Sequence, residues 1–177
     1  MAAVPADKIL ELRELIARKE GKLSRERLPS STLSCGIPKA GITEIAGNFQ
    51  VEWVISFFRE NPALKVFWIE RGFSLLPTAL YQRGVNPDRF IFAEGGDELF
   101  PCIRKALRCQ VFECVVAPSV FTEERVLKAL QLLSEKADSS LLLLARELKS
   151  SWPISLQFEV NRGATPKSFE IMLKKNK

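Results

Sequence analysis

The segment Gly36-Ile37-Pro38-Lys39-Ala40-Gly41-Ile42-Thr43-Glu44-Ile45-Ala46-Gly47 decides how the rest of the chain is read. Its alternating run Ile42, Thr43, Glu44, Ile45 and Ala46 predicts a β-strand, entered from the Pro38-Lys39-Ala40-Gly41 turn and left at Gly47. Beyond it, Asn48-Phe49-Gln50-Val51-Glu52-Trp53 runs directly into a helix. A phosphate loop at that point needs several small residues, so that backbone N–H groups converge on the phosphates, a lysine for their charge and a Ser or Thr for magnesium. The chain supplies instead Phe49 and Trp53, which crowd the corner, and Glu52, which repels an anion.

Outward from this stretch, strand and helix patterns alternate. A helix over residues 51–60 presents Val54, Ile55 and Phe58 on one face and stops at Asn61-Pro62. Val66-Phe67-Trp68-Ile69 is a continuous apolar run, as in a strand covered on both faces. Ser74 is the expected cap of a helix over 75–83 closed by Gly84, and Phe90-Ile91-Phe92-Ala93 is the third strand. A helix over 99–108, a strand within 110–117, a helix from Thr122 to about residue 136 and an apolar strand over 141–145 follow. Residues 155–160 and 168–173 alternate apolar with polar around Asn161-Arg162-Gly163-Ala164-Thr165-Pro166, which predicts an antiparallel hairpin. The expected class is therefore α/β: a mostly parallel sheet with helices on both faces and the C-terminal hairpin, about residues 154–174, at one edge.

On the amino side, residues 5–20 carry Ile9, Leu12, Leu15 and Ile16 on one face of a predicted helix and Lys8, Glu11, Glu14 and Arg18 on the other. That gives an N-terminal amphipathic arm over 1–21, a basic, Ser/Pro-containing linker over 22–34 and a core over 35–177. The apolar stripe of the arm either packs on its own domain or docks on another protein.

A chain of 177 residues with a formal charge of +5 is the size of one ordinary domain, and its charge permits an acidic partner without requiring one. The expected location is cytoplasmic, because no apolar run approaches the roughly 20 residues of a bilayer span. Cys35, Cys102, Cys109 and Cys114 form no C-x-x-C pair and histidine is absent, which argues for free thiols, for no metal site and against Ser-His or Cys-His nucleophiles. Trp152, Arg162, Lys167, Lys174, Lys175 and Lys177 are the candidate nucleic-acid contacts, late in the chain; a solvated basic tail is the preferred reading of them.

The order of elements and several short stretches resemble the ATPase core of the RecA recombinase family. The Gly36-Ile37-Pro38 to Gly47 segment resembles the lead-in to that family's phosphate loop; Phe67-Trp68-Ile69-Glu70, Leu75 to Pro77, Ala79 to Tyr81 and Gly84-Val85-Asn86 resemble its second strand and following helix. Val115-Val116-Ala117-Pro118-Ser119 sits where the family has its acidic second nucleotide motif. The resemblance covers residues 33–120, about half the chain, and the departures within it matter most. Where it implies a nucleotide site, this chain has Gly47, Asn48, Phe49 and Gln50 for the phosphate loop and Ala117 for the magnesium aspartate. Gly72 falls where the catalytic glutamate would stand, with Glu70 the nearest carboxylate and Arg71 beside it to neutralise it. Three requirements of phosphoryl transfer fail together, so no catalytic residue and no cofactor are expected.

A shortened relative of this kind, with a leading helix, a Ser/Pro linker and a closing hairpin, is most similar to the ImuA and SulA-like branch of bacterial damage-response proteins. That resemblance implies a non-catalytic adaptor in translesion mutagenesis, contacting a RecA-type recombinase, an inactive polymerase homologue or an error-prone polymerase. Ile9, Leu12, Leu15 and Ile16 are the expected contact residues. The competing readings are a SulA-like inhibitor of a cell-division GTPase, an ATPase using Lys39 and Glu70 at an unorthodox site, and a recombinase relative that binds DNA directly.

Overall fold

The computed structural model describes residues 26–72, 74–149, 151–165 and 168–177. In chain order the elements are β1 (Arg27–Leu28), β2 (Ile37–Pro38), β3 (Ile42–Ala46), α1 (Gln50–Glu60), β4 (Val66–Glu70), α2 (Pro77–Gln82) and a single 3-10 turn (Pro87–Arg89). They continue with β5 (Phe90–Glu94), α3 (Leu99–Arg108), β6 (Cys114–Pro118), α4 (Glu124–Ala137), β7 (Ser140–Leu144), β8 (Leu156–Arg162) and β9 (Phe169–Asn176). The helix expected over 5–20, with Ile9, Leu12, Leu15 and Ile16, lies outside the described residues.

β3 has every residue buried, and a strand with no exposed face needs neighbours on both sides to satisfy its backbone. It finds β7 on one side and β8 on the other, both parallel to it. The full order is β5-β4-β6-β7-β3-β8-β9, seven strands of which β9 alone runs antiparallel, paired to β8. This is the α/β sheet with a C-terminal edge hairpin that the alternation of patterns predicts. The hairpin is longer than its polar turn implies, because pairing continues through Arg162 to Phe169. A register shift falls between Gln157 and Phe158, whose partners Lys175 and Leu173 leave Lys174 as the extra residue.

Strand side chains alternate between two apolar layers. Ile45, Trp68, Val116, Leu142, Phe158 and Val160 face α1 and α2, whereas Ile42, Ile69, Val115, Ala117, Leu141 and Leu143 face α3 and α4. The first layer is rich in aromatic contacts: Trp53 meets the Phe158 ring edge-on at 4.8 Å and Phe58 meets Phe90 at 5.3 Å. Arg89 lies over the rings of Phe58 and Phe90 and donates to the carbonyls of Phe58, Asn61 and Leu64, satisfying the open end of α1. Burial lowers its pKa from the ordinary arginine value.

Several expectations need correction. Pro77 forces the residue before it into an extended conformation, so Leu76 caps α2 and Pro77 takes the first helical position; Ser74 bonds the Glu70 carboxylate instead. Thr122 is one residue too early for its expected role, since Glu123 has the extended cap conformation and α4 starts at Glu124. Val111 and Phe112 are not in a strand: Gln110 has φ +54°, which turns the chain out of α3, and Phe112 packs on Phe67 at 5.0 Å from the loop. The described part of the expected linker is anchored to the core. Arg27–Leu28 pairs with Ile37–Pro38, Leu33 is buried, and the Trp53 indole donates to Thr32 Oγ1 at 2.8 Å. None of the helices among the described residues is long and apolar enough to cross a membrane.

Gly47 is the residue on which the junction of β3, α1 and β8 depends. Its φ is +99°, and a Cβ built there would collide with the Val160 carbonyl oxygen. Gly47→Ala is expected to lower stability by roughly 2–4 kcal/mol through strain and displacement of β8, measured by urea unfolding.

Candidate functional site

All six parallel strands end on the same edge of the sheet, where α/β proteins collect their ligands. A cleft of about 770 Å³ opens there, lined by Gln50 of α1, Arg71 after β4, Pro118 and Ser119 at the end of β6, and the segment from Leu144, the last residue of β7, to Lys149. Arg71 and Arg146 are exposed on it and Lys149 is half-buried, with its ammonium donating to the Phe121 carbonyl.

The expected nucleotide residues are drawn to this edge, but each has a partner or setting within the protein. Phe49 N–H donates to Val160 O at 3.3 Å and Gln50 N–H to Gly47 O at 3.4 Å, so two amides of the corner are turned inward to β8 and to the corner itself. The Phe49 side chain packs against the first apolar layer, while Asn48 is exposed. Glu52, in the first turn of α1, makes a two-pronged pair with Arg83 at 2.6 and 2.8 Å, which raises the Arg83 pKa. Glu70 accepts from the Trp68 indole at 3.0 Å, the Ser74 hydroxyl at 3.1 Å and the Ser74 and Leu75 amides. This carboxylate pins the turn into α2, and that, rather than neutralisation by Arg71, accounts for its hydrogen bonds. Gly72 sits in an exposed loop, and Ala117 is fully buried among the apolar residues that face α3 and α4.

Lys39 and Glu70 cannot act on one ligand. Lys39 precedes β3 and holds Glu26 and Asp138, each at 2.9 Å, which pushes its pKa up to about 12. It lies at the amino edge of the sheet beside β3, whereas Glu70 closes β4 at the carboxyl edge, roughly 15 Å off along the strands and three strands across. Among the described residues no group of three or more acidic, Cys or His side chains is placed to hold a metal ion. The four thiols are unpaired, and burial raises the Cys114 pKa far above the ordinary range.

The residue sequence reasoning passed over is Glu44. It was legible only as the polar half of an alternating strand, yet it is 1% exposed, on the side of β3 that faces away from α1. Its Oε1 accepts from the Ser119 hydroxyl at 2.7 Å, and its Oε2 from Lys149 N–H at 3.0 Å and Gln157 Nε2 at 2.8 Å. The signal available was a carboxylate in a strand otherwise suited to complete burial.

The candidate nucleic-acid residues are divided. Arg162 is exposed at the far end of β8, and Lys167 lies outside the described residues. Lys174 stands 4.0 Å from Glu159, and Lys175 donates to the Ser151 carbonyl.

No protein-family model matches the chain, and no curated protein matches it.

Glu44→Gln is expected to stay within about 1 kcal/mol of the parent, because a Gln oxygen can keep both N–H donors while its NH₂ turns to the rotatable Ser119 hydroxyl. Glu44→Ala leaves three donors without an acceptor and is expected to cost about 2–4 kcal/mol. Urea unfolding of the two variants side by side checks the pair.

Proposed function

We propose that this protein is a non-catalytic adaptor with a RecA-like core, acting in DNA-damage tolerance by binding recombinase or polymerase partners. The single observation that supports the reading best is the corner after β3. Its glycine is pressed against Val160, its Phe49 amide is bonded to the same residue, and its aromatic side chain packs on the apolar layer under α1 where a phosphate loop would carry small residues. Ala117, packed in an apolar layer, and Glu70, engaged by Ser74 and Trp68, add to it. A fold of this kind then works through its surfaces, and the arm residues Ile9, Leu12, Leu15 and Ile16 form an apolar stripe at helical spacing in the sequence.

Two measurements test the proposal. Calorimetric titration of the full chain with ATP and magnesium is expected to give no heat of binding; a saturable signal, lost in Gln50→Ala, would return the carboxyl-edge cleft to a nucleotide. In a pull-down with purified recombinase and the polymerase pair, Leu12→Asp combined with Ile16→Asp is expected to cut retention at least tenfold. Retention equal to the parent's would take the docking role away from the arm.

A further inference from the structure

The connection from β7 to β8 spans residues 145–155, and none of its described residues is helical. A crossover between parallel strands usually carries a helix that covers the sheet, so this one leaves sheet surface uncovered. On the side away from α1, α3 lies over β4 and β6, and α4 over β3. Past α4 the face of β8 and β9 is an open groove of about 450 Å³, floored by Gln157 and Glu159 and bordered by Leu148, Lys174 and Lys175. Met172 pairs with Glu159 and so points to the same side, where it is 47% exposed. Trp152, 57% exposed, stands between α4 and the end of β9: Lys128 Nζ lies 5.4 Å and Lys177 Nζ 5.1 Å from its ring centroid.

The first described residues emerge beside this face. Glu26 and Asp138, the left-handed cap of α4, both hold the Lys39 ammonium at 2.9 Å. Arg27 donates to Asn176 Oδ1 at 2.7 Å and to the Lys177 carbonyl at 3.0 Å. Residues 1–25 therefore join the domain between the C-terminal end of α4 and the end of β9. A helix over 5–20 would be about 24 Å long, close to the roughly 20 Å of the seven-residue β8. Residues 21–25 can span up to about 17 Å, enough to turn the helix back over the hairpin.

We propose that residues 5–20 dock in this groove on their own chain, as a third helix beside α4, with Ile9, Leu12, Leu15 and Ile16 against Leu148, Met172 and Trp152. The short tether keeps the arm at an effective concentration in the millimolar range, so it occupies the face ahead of a second copy or a partner at micromolar concentration. The stem of Lys174 adds apolar surface beside Met172. The inference concerns the chain by itself and goes beyond the adaptor reading: a partner that takes the arm must first draw it off the hairpin.

Limited trypsin digestion of the full chain tests it, since cleavage after Arg13, Arg18 and Lys19 follows the population in which the arm is released. Met172→Asp, at an exposed position on the hairpin, is expected to speed cleavage at these sites about tenfold while cleavage within the core stays slow. Leu12→Asp with Ile16→Asp is expected to raise acrylamide quenching of tryptophan emission, and the rise is expected to vanish when Trp152 is replaced by Phe. Equal cleavage of the parent and Met172→Asp overturns the proposal, as does equal quenching of the parent and the double aspartate variant. Protection that disappears on dilution from micromolar to nanomolar protein also overturns it, because a second copy is then the occupant. A failed pull-down with trypsin protection intact counts against the adaptor reading alone.

Discussion

A carboxylate taken out of water needs hydrogen-bond donors for its oxygens, and the centre of the sheet meets that need at Glu44. The three donors come from three different parts of the chain: Ser119 after β6, Lys149 after β7 and Gln157 within β8. Gln157 also donates to the Lys149 carbonyl, so the strand and the loop are tied to each other as well as to the acid. The walls of the cleft at the carboxyl edge are therefore set by one side chain in the strand beneath it.

The same tie brings β8 close to the exit of β3. Once β8 is seated parallel to β3, the Val160 carbonyl lies against Gly47 and takes the Phe49 amide. The Phe49 amide, which a ligand would otherwise find at the start of α1, is turned toward a neighbouring strand, and the Phe49 side chain packs on the first apolar layer. Structural demands on β8 and the character of the corner are thus one constraint seen from two places.

Much of the sheet was legible because its strands are short, apolar and punctuated. β3 and α3 fall on the residues that periodicity marks, Ile42–Ala46 and Leu99–Arg108. Helix starts were misjudged where local competition decided them. Ser74 looks like a cap until Glu70 captures its hydroxyl and Pro77 dictates where the helix can begin. Val111-Phe112 has strand composition, but Gln110 in the left-handed region turns the chain before pairing can start. The segment ahead of Cys35 reads as a tether by composition, and what holds it is long-range: Thr32 to Trp53, and Pro29 to Asn61. The candidate site followed the same rule. The missing phosphate-binding residues could be seen locally, whereas Glu44 and the lysine-flanked Trp152 emerge only when distant loops and strands meet.

β9 is a margin of the sheet, with one row of peptide groups that no further strand of this chain engages among the described residues. Such a row is a template on which another molecule can polymerise by strand addition. The displaced register at Lys174, which bends the strand, and the run of ammonium groups at its end make a second copy a poor fit: the next β9 would have to lie crooked and bring like charges together. An irregularity of one residue thus works against extension of the sheet at this edge.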